Sequence, residues 1–243
     1  MELTNRERFA RTYAHKEADR VPIMDYPWQT TLKRWRTEGM PEELDFCTYA
    51  DYFGTDKIDF VDLDIGPRYE KRVVEENDEF ILTQTDWGTI EKNFKNKTTT
   101  PEIEEFKIKE YQDWVEAKLR MDVNEFRPNI EEVKAFCDDR RARDIWTEAH
   151  FQFGFNHAFI RVLGLTEFLM MLYTEPEWAE DIFSHCLEMS LANFTRVWDA
   201  GCRFDSIMWS DDMGFKGTSF FSPEIYRNHL MPYHKKAVDW AHE

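Results

Sequence analysis

Basic residues are scarce: 31 Lys and Arg stand against 48 Asp and Glu, leaving a formal charge of −17 over 243 residues. That balance excludes a non-specific nucleic-acid binder, which needs basic surface to displace counterions, and disfavours anionic membrane surfaces. It leaves room for a local basic pocket facing an acidic small molecule, because net charge describes only the whole envelope. Cysteine is scarce as well. Cys47, Cys137, Cys186 and Cys202 lie far apart and form neither a C-x-x-C pair nor a close Cys/His cluster. Four reduced thiols of a cytoplasmic protein are therefore expected, with no metal site built on them. No apolar run approaches the roughly 18 residues of a spanning helix. With the charged N-terminus M-E-L-T-N-R-E-R-F-A-R, no secretory signal is expected. Short-period repeats, low-complexity segments and Pro/Gly/Ser linkers are also missing, so a single domain over residues 1–243 is expected.

What is present is core-building material. Hydrophobic residues make up 42% and aromatics 16%, including nine Trp and twenty Phe, so general disorder is unexpected. Thr4-Asn5-Arg6-Glu7 has the form of a capping box before a first helix. Val21–Tyr26 reads as a short strand with Pro22 at its start or at an edge. Helices follow over Gln29–Thr37, stopped by Gly39-Met40-Pro41, and over Thr48–Phe53, ended by Gly54. Ile58–Ile65 is a second strand, with Ile58, Phe60, Asp62 and Asp64 on one face and Val61, Leu63 and Ile65 on the other. If the chain closes a barrel, the second set faces the helices. The first set then runs from apolar filling to two carboxylates at the strand's end.

Lys71–Glu75, Glu79–Thr85 and Thr89–Phe94 read as an antiparallel excursion inserted after that strand, and Asn96–Thr100 as a polar linker. Helices are expected at Glu110–Ala117 and Asn129–Arg141, then a third parallel strand at Asp144–His150. Beyond it come helices at Ala158–Leu163, Glu167–Tyr173 and Glu175–Ala200. The last has Pro176 in its first turn and Gly201 as its C-terminal cap. A fourth strand runs from Phe204 to Trp209 and stops at Ser210-Asp211-Asp212. A loop with Gly214 and Gly217 leads to helices at Ser222–His229 and Met231–Glu243. Repeated strand–loop–helix units place chemistry just past the carboxyl ends of the strands.

On that rule the candidate catalytic residues are Asp62, Asp64, Asp211 and Asp212. Asp62 and Asp64 share a face, where mutual proximity can tune one of them for acid–base work or both can bind ring N–H groups. Asp211 and Asp212 point to opposite faces, so one enters the site while the other caps the following turn. Glu148 and His150 share a strand-end face, as a base with its partner, as half of a metal site, or as a structural pair. Tyr26 and Trp28 can stack on a flat ring or pack, and Arg68 and Lys216 are the loop cations available to a substrate carboxylate. Tyr26, Arg68, Glu148, His150 and Lys216 are thus the candidate substrate-binding residues.

Four segments together resemble the uroporphyrinogen decarboxylase superfamily. They are N-R-E-R-F…D-R-V-P-I (Asn5–Ile23), Y-F-G-T-D (Tyr52–Asp56), G-L-T-E-F-L-M-M-L-Y-T-E-P-E (Gly164–Glu177) and W-S-D-D-M-G-F-K-G-T-S-F-F-S-P-E-I-Y-R-N-H-L-M-P-Y (Trp209–Tyr233). The resemblance implies a (β/α)8 barrel of the TIM type, of which this chain carries about the first four βα units plus the hairpin insertion. It implies either decarboxylation of uroporphyrinogen or corrinoid-linked methyl transfer. In the decarboxylases an aspartate after the second strand binds pyrrole nitrogens, and Asp62 or Asp64 is its counterpart. The R-Q-A-G-R-Y segment that supplies arginines to the substrate carboxylates has no match, since the chain runs Asp25-Tyr26-Pro27-Trp28-Gln29. The family's tyrosine aligns with Ile160. Losing the arginine clamp removes the strongest charge-assisted contacts to an octacarboxylate.

The methyltransferase branch is therefore the leading expectation and the decarboxylase the alternative. A non-catalytic half-barrel that binds a partner chain is the third. In the methyltransferases zinc is held by an H-x-C pair on the fifth strand, and the chain stops at Glu243 before that position. Corrinoid and zinc are thus expected only with a further C-terminal part. A small-molecule substrate is expected, a tetrapyrrole or a methyl donor. Nucleic acid and membrane are not, while a homo-oligomer or a second chain would complete the barrel.

Overall fold

The computed structural model describes residues 2–44 and 48–243, so the expected thiol at Cys47 lies outside the described residues. The elements run α1 (Asn5–Tyr13), α2 (Gln29–Thr37), α3 (Tyr49–Phe53), β1 (Ile58–Asp62), β2 (Arg72–Glu76), β3 (Phe80–Gln84), β4 (Ile90–Phe94), β5 (Glu102–Glu105), α4 (Tyr111–Lys118), α5 (Ile130–Ala142) and β6 (Trp146–His150). After β6 come α6 (Gly154–His157), a π-helical segment (Ala158–Leu163), α7 (Leu165–Thr174) and α8 (Pro176–Asp199). They are followed by β7 (Ser206–Met208), a small hairpin β8 (Gly214–Phe215) and β9 (Thr218–Ser219), α9 (Pro223–Ile225), a second π segment (Tyr226–Leu230) and α10 (Met231–His242). The class is mixed α/β. β1, β6 and β7 form a three-stranded parallel sheet in the order β1-β6-β7, and β2-β3-β4-β5 form an antiparallel one.

Three of the four expected parallel strands are found. Val21–Tyr26 is not among them: it forms no strand. At Ile23 it bonds to Asp56, whose carboxylate accepts the Ile23 N–H at 2.7 Å and whose own N–H donates to the Ile23 carbonyl at 2.6 Å. Pro22 has no N–H to offer a ladder, and Val21 and Ile23 remain 76% and 54% exposed. The inserted sheet is larger than expected by one strand, because Glu102–Glu105 adds to β4. The expected helix at Ala158–Leu163 is π-helical, and so is Tyr226–Leu230, which overlaps the end of the expected helix at Ser222–His229.

The chain divides into two compact units, the first comprising Met1–Val61, Ile130–Ala149 and Gly201–Ser206. Its N-R-E-R-F motif is fully occupied in holding it together. Thr4 and Glu7 complete the capping box of α1. The Asn5 side chain donates to the carbonyls of Lys57 and Asp144, both at 2.8 Å, and accepts the Lys57 N–H. Arg6 pairs with Asp205. Arg8 is buried between Asp19 and Asp56, and Arg20 closes on the same Asp56. Phe9 and Tyr13 stack on Trp146, with ring centroids 5.4 Å apart in each case. Removing one partner from so buried a charge cluster costs about 3–5 kcal/mol.

The second unit comprises Asp62–Asn129, His150–Ala200 and Ile207–Glu243. Its spine is α8, which buries Ile182, Phe183, Cys186, Leu187, Met189 and Phe194 at helical spacing and is flanked by α7 and α10. Pro176 opens it, and Gly201, at φ +95°, follows its end as a left-handed cap. Phe155 lies at the centre of an aromatic cluster with Phe159, Phe168, Phe220 and Phe221. No single described helix is long and apolar enough to cross a membrane. The described cysteines, Cys137, Cys186 and Cys202, are buried and free.

Candidate active site

The pattern that placed Val61, Leu63 and Ile65 opposite Asp62 and Asp64 is realised: the three aliphatic side chains are at most 4% exposed, while both aspartates are exposed. The two carboxylates nevertheless serve different partners. Asp62 Oδ1 lies 2.5 Å from His150 Nδ1, so the tip of β1 meets the tip of β6. Asp64 accepts the Gly66 N–H at 2.8 Å and the Arg68 Nε–H at 2.5 Å. Arg68, which also faces Glu125 at 3.6 Å, is therefore already charge-paired. His150 takes a carboxylate from a different strand. Glu148 is 6% exposed and accepts hydroxyl hydrogen bonds from Tyr13 at 3.0 Å and Ser206 at 2.8 Å. Its neighbourhood pushes the Tyr13 hydroxyl pKa upward, through burial first and the Glu148 charge second.

The Asp62–His150 pair opens on a cleft of about 250 Å³, whose lining also includes Gln152, Asn156, His157, Arg161 and Ser210. A larger cleft of about 830 Å³ shares Asp62, Gln152 and Arg161 with it. It extends past Asp64 to Lys71, Arg72, Thr83, Thr85, Asp86 and Trp87 on the inserted sheet and its turn. Gln152 ties the region together: its side-chain amide donates to the Leu63 carbonyl at 3.0 Å, and its backbone N–H donates to the Ser190 hydroxyl oxygen at 3.3 Å. His157 sits in the wall with its ring edge-on to Trp87, centroids 5.0 Å apart. Burial, then the charges of Arg161 and His150, hold its pKa down at about 3, so it is a neutral imidazole at physiological pH.

Asp211 is not on either cleft. Its side chain is 5% exposed, and both oxygens are committed. Oδ1 accepts the Asn156 N–H at 2.8 Å, capping α6 from outside, and Oδ2 lies 2.7 Å from His234 Nε2. The Tyr226 hydroxyl is 3.2 Å from the other nitrogen of that ring. The fit is close enough to fix a glycine: Gly154 has φ +90°, and a Cβ there would come within 2.5 Å of Asp211 Oδ2. Asp212 and Lys216 are exposed and line neither cleft. Tyr26 leans on Phe60 at 5.5 Å and borders a separate crevice of about 40 Å³ in the first unit. Burial raises its hydroxyl pKa well above the usual tyrosine range.

The expected site residues thus separate into three groups. Asp62, Asp64 and His150 come together at the clefts, Glu148 and Asp211 are internal braces, and Tyr26, Arg68, Asp212 and Lys216 lie elsewhere or are otherwise engaged. Gln152, His157, Arg161 and Arg72 were not legible as site residues. The first three follow the third strand in F-Q-F-G-F-N-H-A-F-I-R, where proximity to a strand end was the available signal. Arg72 had no such signal, because it arrives on the inserted sheet. Among the described residues no group of three His, Cys, Asp or Glu side chains could hold a metal ion.

No family model matches the chain, and no curated protein matches it. Among solved structures it is similar to a methyltransferase from Methanosarcina mazei, with a TM-score of 0.55 and 13% sequence identity. The superposition covers 99% of this chain and 68% of that one. At this identity the likeness is one of fold: the course of this chain, inserted sheet included, follows a fold that a methyltransferase also uses.

Proposed function

We propose that the chain belongs to a methyltransferase-type enzyme of the uroporphyrinogen decarboxylase superfamily, with the strands β1, β6 and β7 as part of a (β/α)8 barrel. The Asp62–His150 pair is its acid–base element, and that pair is the observation that carries the reading. It sits at the carboxyl ends of two parallel strands, where barrel enzymes keep their chemistry. Carboxylate and imidazole come from different strands, as a base and its orienting group do.

In the proposed step an acceptor X–H gives its proton to the His150 imidazole, whose other nitrogen is held by Asp62. The electron pair left on X attacks the methyl carbon of the donor. The donor–methyl bond breaks, and its electron pair stays on the donor. A thiol suits this best, because its ordinary pKa of about 8.5 lies within reach of an imidazole near neutral pH. Zinc activation finds no ligand set among the described residues, so no step is assigned to it. Nor do the clefts fit a resident tetrapyrrole or corrinoid. The aromatic rings that line them, Trp87, Phe151 and Phe153, are 4%, 1% and 1% exposed and present no open face. A methylated corrinoid enters the proposal only as a donor substrate.

Uroporphyrinogen decarboxylation is less well supported, since Arg68, the cation that could have replaced the missing clamp, is bound to Asp64. A cytoplasmic enzyme acting on a small molecule, without nucleic acid or membrane, belongs to the same proposal. So does a second chain or further segment covering the parallel sheet.

The test is methyl transfer from methylcobalamin to a panel of small thiols, amines and alcohols, read by loss of the cobalt–carbon absorption and by mass of the methylated product. Asp62→Asn and His150→Gln should each lower the rate by roughly 10²–10⁴. Unchanged rates in both variants, or no methylated product from any acceptor, would remove the reading.

A further inference from the structure

The smaller cleft has in its lining a side-chain amide that the fold itself does not use. Gln152 commits its amide to the Leu63 carbonyl. The Asn156 carboxamide has no hydrogen-bond partner among the described residues, and Asn156 lines the cleft together with Asp62 and His150.

Asn156 is set in place from outside its own helix. It lies in the first turn of α6, where backbone N–H groups have no partner within the helix, and Phe153 at the cap position offers no side-chain acceptor. Asp211 supplies one, its Oδ1 taking the Asn156 N–H at 2.8 Å. Oδ2 faces His234 Nε2 at 2.7 Å. A carboxylate only accepts, so that nitrogen carries the hydrogen, and Nδ1 is left facing the Tyr226 hydroxyl at 3.2 Å. Trp209 and Phe153 hold the His234 ring, with centroids 5.1 and 5.7 Å away. Ser210, next to Asp211 in the chain, lines the same cleft. The buried Asp211–His234 pair therefore fixes where this wall of the cleft stands.

We propose that the Asn156 carboxamide is a further contact residue for the reacting group, its NH2 donating to the acceptor atom X, and that Asp211 and His234 are its positioning residues. This rests on methyl transfer at the Asp62–His150 pair as proposed above. As X gives its proton to His150, negative charge grows on X until it takes the methyl group. A donor already held at X stabilises that charge with little reorganisation. A cleft of about 250 Å³ holds roughly eight waters, so a small acceptor in it meets most of the lining at once. His150 takes the proton, and Asn156 meets the charge left behind.

Two measurements on the full chain test this, and they fail separately. In the first, 2-mercaptoethanol is titrated with no methyl donor present, while the Asn156 side-chain NH2 and the His150 ring are followed by NMR. Both should shift together. His234→Gln keeps an N–H for Asp211 but no ring, and the Asn156 response should persist. His234→Phe keeps a ring against Trp209 and Phe153 but no N–H, and the Asn156 response should fade while that of His150 stays. The opposite order, or no loss in either variant, would refute the positioning pair. In the second, Asn156→Ala should lower kcat for methyl transfer by about 10- to 100-fold, the range of a hydrogen bond to a charged group, with KM little changed. Its circular-dichroism spectrum and urea midpoint should match the wild type, because the amide removed holds nothing in the fold. Asn156→Asp, the same shape with an acceptor in the donor's place, should do no better than alanine. An Asn156 resonance that stays still, or an undiminished kcat in Asn156→Ala, would overturn the contact alone. Shifts of both resonances without methyl transfer to any acceptor would sink the reaction alone.

Discussion

Lowering the pH should destabilise the protein through one ring in particular. His157 titrates near 6.5 when unfolded but at about 3 in the fold. Its Nε2 is buried without a hydrogen-bond partner among the described residues. A proton taken up there would be desolvated beside the Arg161 guanidinium. Above the unfolded value neither state is protonated and the group is silent. Below it the unfolded chain binds a proton that the folded chain refuses. Stability therefore falls by about 1.4 kcal/mol per pH unit until the folded value is reached. Between pH 6.5 and pH 4.5 this amounts to about 2 kcal/mol, after allowing for half-protonation at the start. His157→Phe keeps a ring against Trp87 and removes both the titration and the orphan nitrogen. Urea unfolding of the two proteins, followed by tryptophan fluorescence across that range, isolates the term, because every other titrating group cancels in the difference. The variant should match the wild type within about 1 kcal/mol at pH 7.5 and overtake it steadily on acidification. Parallel stability–pH curves would refute the reasoning.

Two further outcomes follow from the braces and the thiols. Asp211→Ala strips the α6 cap and leaves His234 facing an empty carboxylate position, so unfolding free energy should drop by about 3–5 kcal/mol. Asp211→Asn, which keeps one acceptor, should lose less, and a near-neutral alanine variant would show the pair to be slack. Cys137, with its thiol pushed up to about 11 by burial, and Cys186 and Cys202, shifted the same way, should resist a thiol-specific reagent at pH 8 in the native protein. All three should react promptly in urea, and rapid native labelling of any of them, located by peptide mass, would contradict their burial.

The sequence by itself determined what is local. The capping box at Thr4, the span Gln29–Thr37, the left-handed stop at Gly54, Pro176 opening α8 and the alternation along Ile58–Ile65 all reappear, because each is set by backbone preferences within a few residues. Where local signals misled, a distant group had replaced them. Val21–Tyr26 has the composition of a strand, yet at Ile23 the carboxylate and backbone N–H of Asp56 take the places a neighbouring strand would have filled. Ala158–Leu163 and Ser222–His229 read as ordinary helix, because α and π backbones draw on the same propensities. Glu102–Glu105 has no apolar alternation and is a strand only because β4 offers it an edge.

The site shows the same division more sharply. Strand ends marked Asp62, Asp64, His150 and Asp211 as equals, since sequence gives a carboxylate its position but not its partner. Tertiary structure brought His150 to Asp62 across a sequence separation of 88 and gave Asp64 to Arg68. It sealed Asp211 under Gly154 and His234, and it carried Arg72 into the cleft on a sheet whose purpose was not legible in the chain. Partner choice decides which acid reacts and which one braces. It is settled by distances between residues far apart in sequence, which no local pattern encodes.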